Sequence, residues 1–200
     1  QIIKGNHEIV TVYSRNYEKA KAFAKKFNAC PCKDLKSAIE RNDVDAVYIA
    51  TPHTSHVEYA VQAMMCGKSV LCEKPVGVCT KDVDTLISTA TDTNTYFVEA
   101  MWTWFSDVAL TVKNWVKSGE IGEIKNVTFT GQHCLDYGNR PSWYYEDGKH
   151  GGTINDIAIH GVDLVRFITG KNLTKVNCAK TWNSFADKEP DFKDCGQFMA

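Results

Sequence analysis

The first half of the chain alternates short β-rich runs with longer stretches of helical period. Residues 8 to 14 (EIVTVYS) read as a buried strand. The next run, 16 to 27, sets Ala20, Phe23, Ala24 and Phe27 at helical spacing with lysines on the other face. Asp34 is placed to cap a short helix over LKSAIER, and VDAVYIATP, 44 to 52, is a second strand. A helix over 55 to 67 closes at Gly67, SVLCEKP makes a third strand, and TKDVDTLISTATDT makes a further helix. TYFVEAMW, 95 to 102, is the fourth strand.

Strand and helix in alternation over about 100 residues predict an α/β, Rossmann-type doubly wound parallel sheet. Ligands bind beyond the carboxyl ends of such strands. Four polar clusters fall at those ends: Ser14-Arg15, Thr51-Pro52-His53, Glu73-Lys74-Pro75 and Glu99 to Trp102. The pattern changes after Trp102. A helix over 105 to 118 ends at Gly119, and 123 to 133 alternates like a half-exposed antiparallel strand. A loop rich in Gly, Tyr, Trp and His spans 137 to 152, a helix covers 156 to 170, and KVNCAKTWNSF and DCGQFMA read as strands. The expected organisation is a dinucleotide-binding domain over 1–102 and a partial α+β substrate domain over 103–200 with a mostly antiparallel sheet. No G-x-G-x-x-G turn opens the first domain. The expectation is therefore a first domain without its initial βα unit and a second domain cut short.

Composition narrows the classes. The chain has 200 residues, 44% hydrophobic and 24% charged, with a formal net charge of -1. That balance gives no electrostatic case for nucleic acid or an anionic membrane, and no run reaches the length of a bilayer span. Eight cysteines in a chain of this size point to reduced thiols and a cytoplasmic protein rather than a disulfide framework. The close pair in Cys30-Pro31-Cys32 has no second Cys/His pair at zinc-like spacing, so no metal is expected. Two sequons, at Asn126 and Asn172, stand without a secretory signal.

Three stretches in order, ATPHTSHVEYAVQAMMCGKSVLCEKP, EAMWTWF and GGTINDIAIHGVDLVRFITG, resemble the Gfo/Idh/MocA oxidoreductases, nearest the dihydrodiol and xylose dehydrogenase branch. The resemblance implies hydride transfer between a nicotinamide cofactor and a sugar, polyol or cyclic diol. It implies that Lys74 is the active-site lysine and that Asp156 and His160 form the D-x-x-x-H pair of the substrate pocket. Their spacing of four puts both on one helical face. Thr51, Pro52, His53 and His56 match the loop passing the cofactor, with Glu73 and Pro75 flanking Lys74. Trp102 matches an aromatic position near the pocket. The branch often has Arg where Trp104 stands and Tyr where His160 stands, which leaves the substrate open. The family usually assembles as homo-oligomers through its second-domain sheet.

His160 suits a base by its ordinary pKa, and Lys74 suits polarising an oxygen or, if its pKa is lowered, acting as base. Arg15, where an acid would bind the ribose of NAD, favours NADP, with NAD the alternative. Arg140 and Trp143, in the 137 to 152 loop with His150 as a further donor, are candidate sugar contacts; packing of a surface loop explains them equally. His7 and His133 carry no assignment. An NAD-dependent glycoside hydrolase and a non-catalytic ligand sensor on the same fold are the competing functions.

Overall fold

A computed structural model describes residues 7–133, 140–146, 149–185 and 188–200. The remainder of the 137 to 152 loop expectation lies outside the described residues. The described chain divides into two compact units.

The first unit comprises the chain up to Ala50 with Ser55–Cys72 and Lys81–Val98. Strand β1 (Thr11–Tyr13) pairs in parallel with β2 (Cys30–Cys32), joined by helix α1 (Tyr17–Phe27). Strand β3 (Ala46–Ile49) pairs in parallel with β4 (Ser69–Cys72), and β5 (Phe97–Glu99) lies on the other side of β4. Helices α2 (Leu35–Ile39), α3 (His56–Met65) and α4 (Thr80–Thr93) make the crossovers. The two ladders match the two flanks of the doubly wound order 3-2-1-4-5-6, and the central strand of that order has no counterpart among the described residues.

Local chemistry sets these elements. Asn16 accepts the backbone N–H of Lys19 at 3.1 Å to start α1, and Asn28 ends it in the left-handed region. Asp34 caps α2 as expected, accepting the Ser37 N–H at 2.7 Å. The core is small and tight, with Ala20, Ala24, Ala60 and Ala63 letting the helices approach the strands, and Ile49, Met64, Val70, Cys72 and Leu86 filling the space between. Lys68 crosses to the carbonyls of Arg41 and Val44 at 2.9 and 2.8 Å, tying the end of α3 to the turn before β3.

Strand β2 has no sequence signal of its own. The Cys-Pro-Cys run forms a strand because it lies on an outer edge, where proline's missing N–H costs no ladder bond. Cys32 is buried with its sulfur 3.0 Å from the Thr11 hydroxyl, while Cys30 is exposed.

The second unit comprises Thr51–Thr54, Glu73–Thr80 and the chain from Glu99 onward. The segments that follow β3, β4 and β5 thus all belong to it. A 3-10 turn (Trp102–Phe105) leads into helix α5 (Asp107–Ser118), which packs against helix α6 (Ile159–Thr169). Strands β6 (Cys178–Trp182) and β7 (Cys195–Met199) pair antiparallel. The expected strand over 123 to 133 is not formed: those residues carry no strand ladder. Alternation specifies a face, but a strand needs a bonded neighbour, and β6 bonds only β7 among the described residues. Phe129 instead packs closely against α6, where a Cβ on Gly161 would stand 2.4 Å from its ring.

The helix expected over 156 to 170 begins differently. A π-helical turn (Ile154–Ala158) precedes α6. It is entered through Gly151 and Gly152, at φ 79 and 84, values that favour glycine; a Cβ at Gly151 would also meet the Asn155 side chain at 2.9 Å. No helix among the described residues is long and apolar enough to cross a membrane.

Candidate active site

The π turn presents Asp156 inward, and single π turns inside helices are frequent at functional sites. Lys74, on the segment after β4, donates to Asp156 Oδ1 at 2.7 Å and to the Asp156 backbone carbonyl at 2.7 Å. Its third N–H has no partner among the described residues. The other carboxylate oxygen, Oδ2, accepts the Tyr144 hydroxyl at 3.0 Å and lies 3.0 Å from His150 Nε2, though off the line of an ideal hydrogen bond. Burial alone would push the Asp156 carboxyl up. The contacts from His150 and Lys74 outweigh it and hold the group well below the usual carboxylate range. Tyr144 moves the opposite way: burial, then the neighbouring Asp156 charge, pushes its hydroxyl up. At neutral pH Asp156 is therefore a carboxylate and Tyr144 a neutral phenol.

His160, one turn along, is half-buried with its Nδ1 shielded from solvent and without a hydrogen-bond partner among the described residues. Burial first, and the Lys74 charge second, lower its pKa against the pull of Asp156, Asp163 and Glu73. It therefore stands as neutral imidazole with a free ring nitrogen. The Trp102 ring lies 6.2 Å from the His160 ring and is 65% exposed, a flat apolar face open to a ligand. Trp104, in place of an arginine, donates to Asp163 at 2.7 Å and stacks on Phe167, so it braces α6.

The aromatic segment 140–146 supplies the wall behind Asp156. Tyr144 and Phe192 are buried together, with Trp143 and Tyr145 packed around them. Arg140 places its guanidinium 4.7 Å over the Tyr144 ring and donates to the His133 ring at 2.7 Å, so His133 takes part in this cluster. His53 Nδ1 lies 2.9 Å from the His150 carbonyl; a carbonyl only accepts, so that nitrogen carries the proton. The His53 ring also meets Trp143 edge-on at 5.3 Å.

The second unit thus brings together Lys74, Asp156, His160, Trp102, His53, Arg140 and Trp143, with Thr51, Pro52, Glu73 and Pro75 on the same segments. Ser14, Arg15 and His56 belong to the first unit, where Arg15 is exposed and His56 is fully buried at the start of α3. The sequence did not mark Tyr144 or His150 as partners of Asp156. No spacing rule links them, because both contacts are made through the tertiary fold.

Glu99, at the end of β5, is a half-buried carboxyl that feels the Lys74 charge. Burial and then the Asp163 charge raise it above its ordinary 4.5, against a Val76 N–H and Lys74, and its Oε1 has no hydrogen-bond partner among the described residues. A carboxyl raised in the folded state favours folding less as pH climbs from the unfolded value through the folded one. Glu99→Gln is therefore expected to gain thermal midpoint over the parent at pH 8 and little at pH 4. Equal gains at the two pH values would mean that ionisation of Glu99 carries no cost.

Comparison with known proteins agrees with this architecture. The model of the Gfo/Idh/MocA oxidoreductase family, NAD-binding Rossmann fold, matches residues 2–100, and the model of the GFO/IDH/MocA C-terminal domain matches residues 109–199. The chain belongs to the Gfo/Idh/MocA family. It is 27% identical over 169 residues to the trans-1,2-dihydrobenzene-1,2-diol dehydrogenase of Bos taurus, covering 84% of this chain and 49% of that protein. It is 36% identical over 149 residues to the scyllo-inositol 2-dehydrogenase (NADP(+)) of Bacillus subtilis strain 168, covering 74% and 43%. The crystal structure of myo-inositol 2-dehydrogenase from Lactobacillus plantarum superposes with a TM-score of 0.80 at 24% identity, over 90% of this chain and 53% of that one, a likeness of fold. The chain spans about half the length of the curated relatives it matches.

Proposed function

We propose that the full-length protein is a nicotinamide-dependent dehydrogenase or reductase acting on a ring hydroxyl of a sugar, polyol or cyclic diol, with NADP as the favoured cofactor. The observation that carries this reading is the Lys74 ammonium fixed by a permanently charged Asp156 beside a neutral, unpartnered His160. The donor set suits a nicotinamide and a carbinol: Lys74 keeps one N–H free, and His160 Nδ1 is a shielded polar atom awaiting a partner. A bound nicotinamide would accept or return the hydride.

The chain's own groups do the rest. Lys74 directs its remaining N–H at the substrate oxygen and stabilises negative charge there as the proton leaves. His160 takes that proton in oxidation and gives it back in reduction. Asp156 has both oxygens engaged, so it anchors Lys74 and takes no proton. Trp102 offers its exposed ring to the substrate, with Arg140 and Trp143 supplying the polar and aromatic edges of the same unit. Thr51, Pro52, His53, His56, Glu73 and Pro75 are assigned to the cofactor. Arg15, exposed after β1 beside Ser14, supports NADP because a guanidinium pairs with a 2′-phosphate. The printed names of the two curated relatives, a dihydrodiol dehydrogenase and an NADP(+) inositol dehydrogenase, support a cyclic substrate with adjacent hydroxyls.

We also assign a homo-oligomer through the β6–β7 sheet, on the ground that all five residues of β6 are exposed. A reducing, cytoplasmic setting is supported by seven free cysteines among the described residues. The test is a panel of inositols, aldoses and cyclic diols with NADP and NAD in parallel, read as net formation of reduced nicotinamide. Turnover with NADP ahead of NAD is expected. Glycoside cleavage without net reduction would assign a hydrolase instead, and tight ligand binding with no turnover would assign a sensor.

A further inference from the structure

Asp156 has a second, unassigned set of partners, and they are built as carefully as Lys74. Its Oδ2 faces Tyr144 and His150, each 3.0 Å away, while Oδ1 and the backbone carbonyl face Lys74. We propose that Tyr144 and His150 are positioning residues that clamp the Asp156 carboxylate, fix its plane and thereby aim the Lys74 ammonium. This inference rests on the dehydrogenase reading for its catalytic consequence, though not for the clamp itself.

A carboxylate held by one oxygen alone turns about its Cβ–Cγ bond, and a lysine bonded to it turns with it. Two contacts on the opposite oxygen remove that freedom. Both contacts come from side chains that have little freedom of their own. Tyr144 is 7% exposed and His150 3%. Their rings lie 4.1 Å apart, and Phe192 stands 5.6 Å from the first and 5.4 Å from the second. The backbone of His150 is held in turn: its carbonyl accepts from His53, on the segment after β3. A clamp locked by packing and by a second layer of hydrogen bonds is what precise placement of a reacting group requires.

The arrangement carries a cost that packing alone does not explain. His150 is almost fully buried and, among the described residues, neither ring nitrogen has an in-line hydrogen bond, its Nε2 making only the 3.0 Å contact to Asp156, although a leucine of similar volume would fill the same aromatic pocket without that penalty. The imidazole sits where its one useful contact is the carboxylate. The phenol of Tyr144 likewise has its hydroxyl on Asp156 while its ring is occupied by Arg140 and Phe192. The charged and titratable groups around Asp156 are then Lys74, His150 and Tyr144, with His160 and Arg140 one step further out.

The test uses the full-length protein with saturating cofactor and three variants: Tyr144→Phe, which removes only the hydroxyl; His150→Leu, which fills the pocket; and His150→Gln, which returns an N–H. Tyr144→Phe, which loses a hydrogen bond to a charged group, and His150→Leu, which loses a polar contact to the same group, are expected to lower kcat roughly 10- to 100-fold, with KM changed by less than about threefold. His150→Gln is expected to recover part of the loss. A second readout needs no turnover: the carboxyl ¹³C resonance of Asp156, followed through an acid titration. In His150→Leu the carboxyl is expected to take up its proton at a higher pH than in the parent. Movement of the resonance together with the fall in kcat supports the proposal, as does movement in a parent that proves inactive, where the clamp stands and the dehydrogenase reading falls. An unmoved resonance, or variants with kcat within twofold of the parent, overturns it.

Discussion

Lys74→Met in the full-length protein is expected to lower kcat for polyol oxidation by roughly 10²- to 10⁴-fold, the range a positioned group at a proton transfer supplies. Lys74 is also half of a buried pair, its side chain 20% exposed and that of Asp156 8%. Removing one partner of such a pair leaves a buried charge and costs about 3–5 kcal/mol of stability, toward the lower figure here because Lys74 keeps some water. A loss of activity alone would therefore not separate chemistry from folding. The double variant Lys74→Met/Asp156→Asn removes both charges and is expected to recover much of the thermal midpoint while leaving turnover at the level of the single variant. Recovery of turnover along with stability would make Lys74 a structural residue and remove it from the mechanism. The 2.7 Å contacts to Asp156 are the reason a substitution at 74 is expected to touch the fold as well as turnover.

How far the site was legible follows from which signals are local. Lys74 and Asp156 lie 82 positions apart, yet each sits in a short motif, and the resemblance assigned each to the site separately, Lys74 as the lysine and Asp156 with His160. The D-x-x-x-H spacing tolerates the change of helix type, because four residues along either an α or a π turn return close to the same face. Tyr144 and His150 were legible only as members of an aromatic loop, since nothing in their spacing points at an aspartate further along the chain. The same limit explains the two strand errors. Cys30–Cys32 is too short to show a period, and it forms a strand because β1 offers it an edge. Residues 123 to 133 show a strand period and form none, because pairing is a property of neighbours that a single segment does not contain. Glu99 was placed on the rim by topology, while its raised carboxyl depends on Asp163, from a helix far along the chain.

The pH dependence of turnover tests the remaining assignment. His160 is lowered from 6.5 by burial and by Lys74, so its neutral form persists to more acid pH than in an ordinary histidine. Oxidation needs that neutral form as base; kcat/KM is therefore expected to be flat near neutrality and to fall as pH drops, with a midpoint below 6.5. Carbonyl reduction needs the protonated form and is expected to fall as pH rises through the same midpoint. Asp156 does not account for this limb, because its carboxyl is held far lower and remains ionised throughout. His160→Asn is expected to lower kcat/KM by roughly 10²-fold or more and to erase the acid limb, while thermal stability at acid pH improves, since a buried histidine resists protonation and destabilises the fold as pH falls. Lys74→Met should move the midpoint upward in whatever turnover remains, because one of the two causes of the lowering is gone. A midpoint at or above 6.5, or one that survives in His160→Asn, would assign the proton to another group; the raised carboxyl of Glu99, in the same charge environment as Lys74, is the next to examine.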